Sequence, residues 1–232
     1  MSDTSYQQRR GEIQVYFDRT ALDAWKRFAS DQPLSWVRRT VRAGREAMRA
    51  QILSRFPGDL SGWRILDAGC GAGSISADLA RRGADVLGID LSPEMIRFAQ
   101  DHVGTEPWAK RITFKAGDMV ARDHGTFDAV VGMDSVIHYK TADAIDALSE
   151  LAGRTRRQIV FTVAPRTPLL AAMHSVGSLF PRKDRAPGIE PVAPKALCRS
   201  LASRPELTGW TVTPLERVSS GFYISQLLEA RA

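Results

Sequence analysis

"RILDAGCGAG", residues 64–73, is a short apolar run that breaks into glycines. Such a run, bounded by turn residues, reads as a buried strand ending in a tight turn. Gly69, Gly71 and Gly73 allow that turn, and they let backbone N–H groups approach a ligand with no Cβ between. A glycine loop alone is shared by many nucleotide-binding folds. Asp67, just ahead of the glycines, narrows the choice. A loop built for a pyrophosphate gains nothing from a carboxylate there, whereas a ligand with an amino group and a sulfonium does.

Strands and helices alternate outward from this loop. "SISADLARRG" (74–83) reads as a helix, "DVLGIDLS" (85–92) as a second strand, and "PEMIRFAQDHV" (93–103) as a helix capped by Ser92 with Pro93 at its first position. "ITFKAGDM" (112–119) is a third strand and "FDAVVGMDSVIHY" (127–139) holds a fourth. "ADAIDALSELAGR" (142–154) is a helix and "QIVFTVAP" (158–165) a fifth strand. Alternation of this kind predicts a doubly wound α/β fold, its mostly parallel sheet covered on both faces. "GWTVTPLERVSS" (209–220) and "FYISQLLEARA" (222–232) follow each other across a glycine turn, which predicts an antiparallel finish. Residues 1–60 read as helical. One apolar stripe carries Val15, Leu22, Trp25 and Phe28, with Phe17 nearby; a second carries Val37, Val41, Met48, Ile52 and Leu53. The expected organisation is an N-terminal helical cap over 1–60 and a core over 61–232, with 166–205 as a small inserted lid after the fifth strand.

Composition bounds what this fold can do. The 232 residues are 44% hydrophobic, enough for one domain with a real core. No run of eighteen apolar residues occurs, and the N-terminal stretch lacks the apolar segment of a secretory signal, so a cytoplasmic location is expected, with peripheral membrane association compatible. Two cysteines and four histidines, without ligand spacing, predict no protein-bound metal. The net charge of +6 and a pI near 9.7 favour an acidic partner. Arg38, Arg42, Arg45 and Arg49 share one helix face; that face reads either as a solvated outer surface or as a docking surface for a membrane or a protein.

The acids at the strand ends carry the functional reading. Asp90 ends the second strand, where doubly wound folds hold a ribose by its hydroxyls, and a carboxylate accepts both hydrogen bonds. Asp118 ends the third strand, placed to accept from an adenine amino group, with the amide of Met119 beside it. Three acids at three successive strand ends beside a glycine turn resemble the class I S-adenosylmethionine-dependent methyltransferases. The resemblance covers about 62–164 and the terminal strand pair. It implies a seven-stranded sheet with a C-terminal antiparallel strand. It also implies a cofactor site of Asp67, Gly69, Cys70, Gly71, Gly73, Asp90, Leu91, Gly117, Asp118, Met119, Met133 and Asp134.

The acceptor side is read from the end of the fourth strand and from the flanks. The absence of an Asn-Pro-Pro-Tyr signature and of a basic-aromatic module argues against nucleic acid. His138 and Tyr139 sit where small-molecule methyltransferases place acceptor-side groups. "VYFDRTALDAWKRFASD" (15–31) before the core and "FPRKDRAPGIEPV" (180–192) after the fifth strand are similar in order and spacing to the magnesium-protoporphyrin O-methyltransferases of (bacterio)chlorophyll synthesis. That family implies methyl transfer from S-adenosylmethionine to a propionate of magnesium protoporphyrin IX, with magnesium arriving only in the substrate. It further implies His138 and Tyr16 as catalytic groups. Tyr139, His174, Phe180, Arg182, Lys183 and Arg185 would contact the porphyrin. The face of Arg38, Arg42, Arg45 and Arg49 would meet a membrane or the magnesium chelatase. Competing readings are a methyltransferase for another carboxylate or phenol such as a quinone precursor, a nicotinamide oxidoreductase, and a tetrapyrrole carrier.

Overall fold

The computed structural model describes residues 3–16, 18, 36–166 and 188–232. Helices α1 (Asp3–Tyr16) and α2 (Trp36–Ser54) precede the sheet. The core then runs β1 (Arg64–Ala68), α3 (Ser74–Arg81), β2 (Asp85–Asp90), α4 (Pro93–Val103), β3 (Ile112–Ala116), β4 (Phe127–Gly132), α5 (Thr141–Ala152), β5 (Thr155–Val163), α6 (Pro194–Ala202), β6 (Thr211–Ser220) and β7 (Tyr223–Arg231). The seven strands form one sheet in the order β3-β2-β1-β4-β5-β7-β6. The pairs from β3 to β5 are parallel, and β7 lies antiparallel between β5 and β6. This is the expected doubly wound fold with its antiparallel finish. Pro214 sits in β6, the edge strand, where a missing N–H is tolerated, and the pairing shifts register between Pro214 and Arg217.

Alternation along the central strands builds two cores. Leu66, Val130 and Phe161 face one side, against Leu148 and Leu151 of α5 and Leu197 and Leu201 of α6. Ile65, Val131 and Val160 face the other, against Met48 and Ile52 of α2 and Leu79 of α3. Burial on both faces explains why these strands are apolar runs without alternation. Each fully buried aliphatic side chain contributes about 1.5–3 kcal/mol. Among the described residues, no helix is long and apolar enough to cross a membrane.

Local signals are kept where the chain has little freedom. The Ser92 hydroxyl accepts the Met95 N–H at 3.1 Å and caps α4, with Pro93 at its first position. The N-terminal stripes fare differently. Among the described side chains of α1, Tyr6 and Ile13 are buried and Val15 is 53% exposed, because the helix begins upstream of the predicted stripe and rests on different residues. Phe17, Leu22, Trp25 and Phe28 lie outside the described residues. In α2 the predicted stripe holds from Val41, which packs partly buried against the core, through Met48, Ile52 and Leu53, while Val37 is exposed. Of the stretch read as an insertion, 167–187 lies outside the described residues, and α6 buries Leu197, Cys198 and Leu201 in the core.

Candidate functional site

A cavity of about 360 Å³ opens at the C-terminal ends of β1, β2 and β4, beside α2, where folds of this architecture take ligands. The glycine loop forms its floor. The N–H groups of Gly69 and Cys70 both donate to the Ile89 carbonyl, at 2.8 and 2.9 Å, which ties the end of β1 to the end of β2. Gly69 has a φ of +83°, and a Cβ there would stand 2.5 Å from the Cβ of Ser135. Only glycine suits both the backbone angle and the contact.

The acids divide into two kinds. Asp67 is buried and accepts from the Ser76 hydroxyl at 2.6 Å. Burial, with a smaller push from Asp90, raises its carboxyl from 3.8 to about 7. Asp90 accepts the Gly71 N–H on one oxygen and the Ser92 N–H on the other, both at 3.0 Å, and burial raises its pKa as well. A carboxylate has about four lone-pair sites, so Asp90 both shapes the loop and retains acceptor capacity toward the cavity. Asp118 behaves differently. The Tyr6 hydroxyl donates to it at 2.8 Å and Arg10 pairs with it at 3.0 Å, so α1 engages this carboxylate. Gly117 and Met119 line the cavity on either side of it.

The loop after β4 supplies the opposite wall with Met133, Asp134, Ser135, His138 and Tyr139. Asp134 has a φ of 55°, alone among the described non-glycine residues in being positive. Its N–H donates to the Thr162 hydroxyl at 2.8 Å, and its carboxylate accepts from Tyr223 at 3.2 Å and pairs with Arg45 at 2.5 Å. Such strain persists only where the surroundings over-determine it. The backbone carbonyl of His138 accepts from Arg9 at 2.6 Å. Tyr139 stacks on Tyr6 at 5.1 Å, and burial holds its hydroxyl protonated by pushing its pKa up.

Of the predicted cofactor residues, Asp67, Gly69, Cys70, Gly71, Asp90, Leu91, Gly117, Met119, Met133 and Asp134 line this one cavity, while Gly73 and Asp118 are not among its lining residues. His138 and Tyr139 line it as well. Tyr16 is half-buried at the end of α1, apart from the lining residues, and burial raises its pKa. His174, Phe180, Arg182, Lys183 and Arg185 fall outside the described residues. The arginine face serves two surroundings. Arg42, Arg45 and Arg49 border the cavity, because Met48 and Ile52 reach the sheet and set the rotation of α2, yet the Arg42 and Arg49 side chains stay 37% and 39% exposed, and Arg38 lies outside the lining.

Other lining residues carried no sequence signal. Ser135 brings a buried hydroxyl without a hydrogen-bond partner. Ile13 comes from a helix whose placement depends on distant contacts. Ser92, legible in the sequence as a cap and not a lining residue, also donates its hydroxyl to Asp18 at 2.6 Å, a contact the sequence did not announce.

Comparison with known proteins places these features. A family model described as magnesium-protoporphyrin IX methyltransferase C-terminus matches residues 132–232, and a methyltransferase domain model matches residues 65–158. The chain is 46% identical to a magnesium-protoporphyrin O-methyltransferase from Rhodobacter capsulatus, over 98% of this chain and 99% of that protein. It is 34% identical to a ubiquinone biosynthesis O-methyltransferase from Xanthomonas oryzae, over 53% of this chain and 52% of that protein. The crystal structure of magnesium protoporphyrin IX methyltransferase from Synechocystis PCC 6803 with bound SAH superposes with a TM-score of 0.79 at 30% identity, covering 95% of this chain and 98% of that one.

Proposed function

This chain belongs to the magnesium-protoporphyrin O-methyltransferase family, and we propose that the cavity at its strand ends carries out that family's reaction. The protein transfers a methyl group from S-adenosylmethionine to a propionate carboxylate of magnesium protoporphyrin IX, giving the monomethyl ester and S-adenosylhomocysteine. The observation that carries this reading is the match to the Rhodobacter enzyme over nearly the whole of both chains. The quinone-pathway relative matches only over about half of each.

The residues present fit the cofactor. A cradle that a Cβ would fill at Gly69, an orphaned Ser135 hydroxyl, and two strand-end acids, Asp67 buried and Asp90 half-buried, suit a ligand with an amino group, a ribose and a cationic centre. Asp67 takes the amino group and Asp90 the ribose hydroxyls, with Gly117 and Met119 beside the base. When bound, S-adenosylmethionine supplies the methyl group. The propionate is already ionised at neutral pH, its pKa being roughly 4, so the protein need not remove a proton. It has to hold the carboxylate in one orientation and keep water out. His138 orients that carboxylate, and Tyr139 closes the wall beside it. Tyr16 is proposed to close over the cofactor and donate a second hydrogen bond to the carboxylate, and Arg182, Lys183 and Arg185, with His174 and Phe180, are proposed contacts of the porphyrin. Docking to the magnesium chelatase or a membrane surface is proposed for the face of Arg38, Arg42, Arg45 and Arg49, at whose exposed end Trp36 meets Phe222 edge to face.

The test is methyl transfer to magnesium protoporphyrin IX, with metal-free protoporphyrin and quinone precursors as competitors. Turnover confined to the magnesium porphyrin is expected, and a quinone precursor as the better substrate would overturn the assignment. His138→Ala should lower turnover more than it weakens S-adenosylhomocysteine binding, and Asp90→Ala should do the reverse.

A further inference from the structure

The chain between β3 and β4 folds back on one carbonyl. Gly117 donates its N–H to the Asp90 carbonyl at 2.9 Å, which ties the start of this turn to the end of β2. The Asp118 carbonyl then accepts twice, from the Ala121 N–H at 3.1 Å and from Nε2 of His124 at 2.9 Å. A carbonyl can only accept, so Nε2 carries the hydrogen. His124 is buried, and the reaction described above makes no use of it. Its other ring nitrogen stands 3.3 Å from the Asp123 carboxylate. Two arginines hold the backbone of the same turn: Arg154 donates to the Ala121 carbonyl at 2.6 Å and Arg64 to the His124 carbonyl at 2.8 Å.

The Asp118 carboxylate has partners of its own. One oxygen accepts the Tyr6 hydroxyl at 2.8 Å and the Val120 N–H at 3.1 Å, and the other pairs with Arg10 at 3.0 Å. Asp118 is not among the residues lining the cavity, whereas Gly117 and Met119 on either side of it are. The cavity therefore offers a ligand the backbone beside Asp118 rather than its carboxylate. The peptide joining Asp118 to Met119 is trans, so its C=O and its N–H point in opposite directions. Anchoring the carbonyl on His124 fixes where the N–H points. Met119 is buried, and its N–H has no hydrogen-bond partner among the described residues. Buried N–H groups are normally paired, which leaves this one for an acceptor on a ligand.

We propose that His124 is the positioning residue of the base subsite: by holding the Asp118 carbonyl it aims the Met119 N–H at the acceptor nitrogen N1 of the purine. This rests on the cofactor reading given above, which places Gly117 and Met119 beside the base. His124 does not line the cavity and acts through a single peptide plane.

Paired nucleosides test this by binding alone. S-adenosylhomocysteine is compared by calorimetry with its 1-deaza analogue, in which a C–H replaces the acceptor N1. Both are measured on the full-length wild type and on His124→Leu, His124→Asn and His124→Gln. A glutamine amide can stand where Nε2 stands, an asparagine is one methylene too short, and a leucine has no donor. The wild type should bind S-adenosylhomocysteine about tenfold more tightly than the deaza analogue. His124→Leu and His124→Asn should cut that ratio to about twofold or less while binding the deaza analogue as the wild type does, and His124→Gln should restore it. A merely structural role would weaken both nucleosides alike, or neither, and either result overturns the proposal. So does a ratio that His124→Gln fails to restore. If one of the two disruptive variants does not fold, the other carries the comparison; if neither folds, His124 serves the fold and the proposal fails. A wild type that binds both nucleosides equally overturns the Met119 contact and leaves the cofactor reading standing. One that binds neither refutes the cofactor reading and the subsite with it.

Discussion

Replacing Asp67 by Asn should make the ligand-free protein more stable, increasingly so as pH rises. Asp67 is 1% exposed and its carboxyl is raised from 3.8 to about 7 by burial. The sign follows from proton binding. Between those two values the native state holds a proton that the unfolded state has lost, so stability falls as pH increases through the window. Below it, the protonated acid and Asn are equivalent; above it, the native state bears the whole cost of a buried charge, roughly 4 kcal/mol. Urea unfolding of both proteins at pH 5 and pH 8 should show the gap between them widening by roughly 2.5 kcal/mol. The same titration should appear in binding. If the ionised Asp67 takes the cofactor's amino group, affinity for S-adenosylhomocysteine should rise about tenfold per pH unit toward 7 and then level off. Asp90 is raised for the same reason, so its ionisation acts in the same direction. Parallel stability curves for the two proteins, with affinity flat from pH 5.5 to 8, would refute both the buried charge and its role.

Gly69→Ala combines a left-handed backbone with a Cβ placed 2.5 Å from Ser135; calorimetry should show S-adenosylhomocysteine binding weakened more than tenfold, and melting a loss of about 1–3 kcal/mol. Gly44→Ala gains up to about 1 kcal/mol of helix propensity but drives a methyl into the Tyr223 ring at 2.5 Å. Urea unfolding should show a net loss, and turnover should fall as α2 shifts its arginines. Glu229→Gln removes the charge that pairs with Arg55 at 2.9 Å, neither residue lining the cavity; it should cost about 1–3 kcal/mol at neutral pH and leave affinity for S-adenosylhomocysteine unchanged.

Where neighbours in sequence are also neighbours in space, the sequence was legible. The loop at 64–73 and the acid ending β2 are of this kind: Gly71 donates to Asp90 across a single βα unit. The antiparallel finish was legible because a one-glycine connection leaves no other pairing. Asp118 marks where this reasoning fails. Its position at a strand end is visible in the sequence, but its partners Tyr6 and Arg10 arrive from a helix more than a hundred residues away, and nothing in the pattern of α1 announces that contact. The arginines of α2 fail for another reason. Their spacing was evident, but a helix with polar residues on one side can turn that side to water or to a cavity, and the choice is made by Gly44 against Tyr223 and by Met48 and Ile52 under the sheet.

That choice bears on how the reaction is accelerated. Methylating a carboxylate with a sulfonium consumes one charge of each sign, so groups that paired tightly with either reacting charge would stabilise the reactants more than the transition state. The strong fixed charges are arranged accordingly. Asp67 and Asp90 sit at the glycine loop, with their charge damped by burial, and the arginines sit on α2 with Asp134 and Glu46 as standing partners. Between these sides the lining is Met119, Met133, Tyr139 and His138, and burial keeps the Tyr139 hydroxyl neutral. Charges at the edges can bind the parts of each reactant that do not change. The weakly polar middle leaves the changing pair little to hold it back, so placement and the exclusion of water do more for the rate here than proton transfer does.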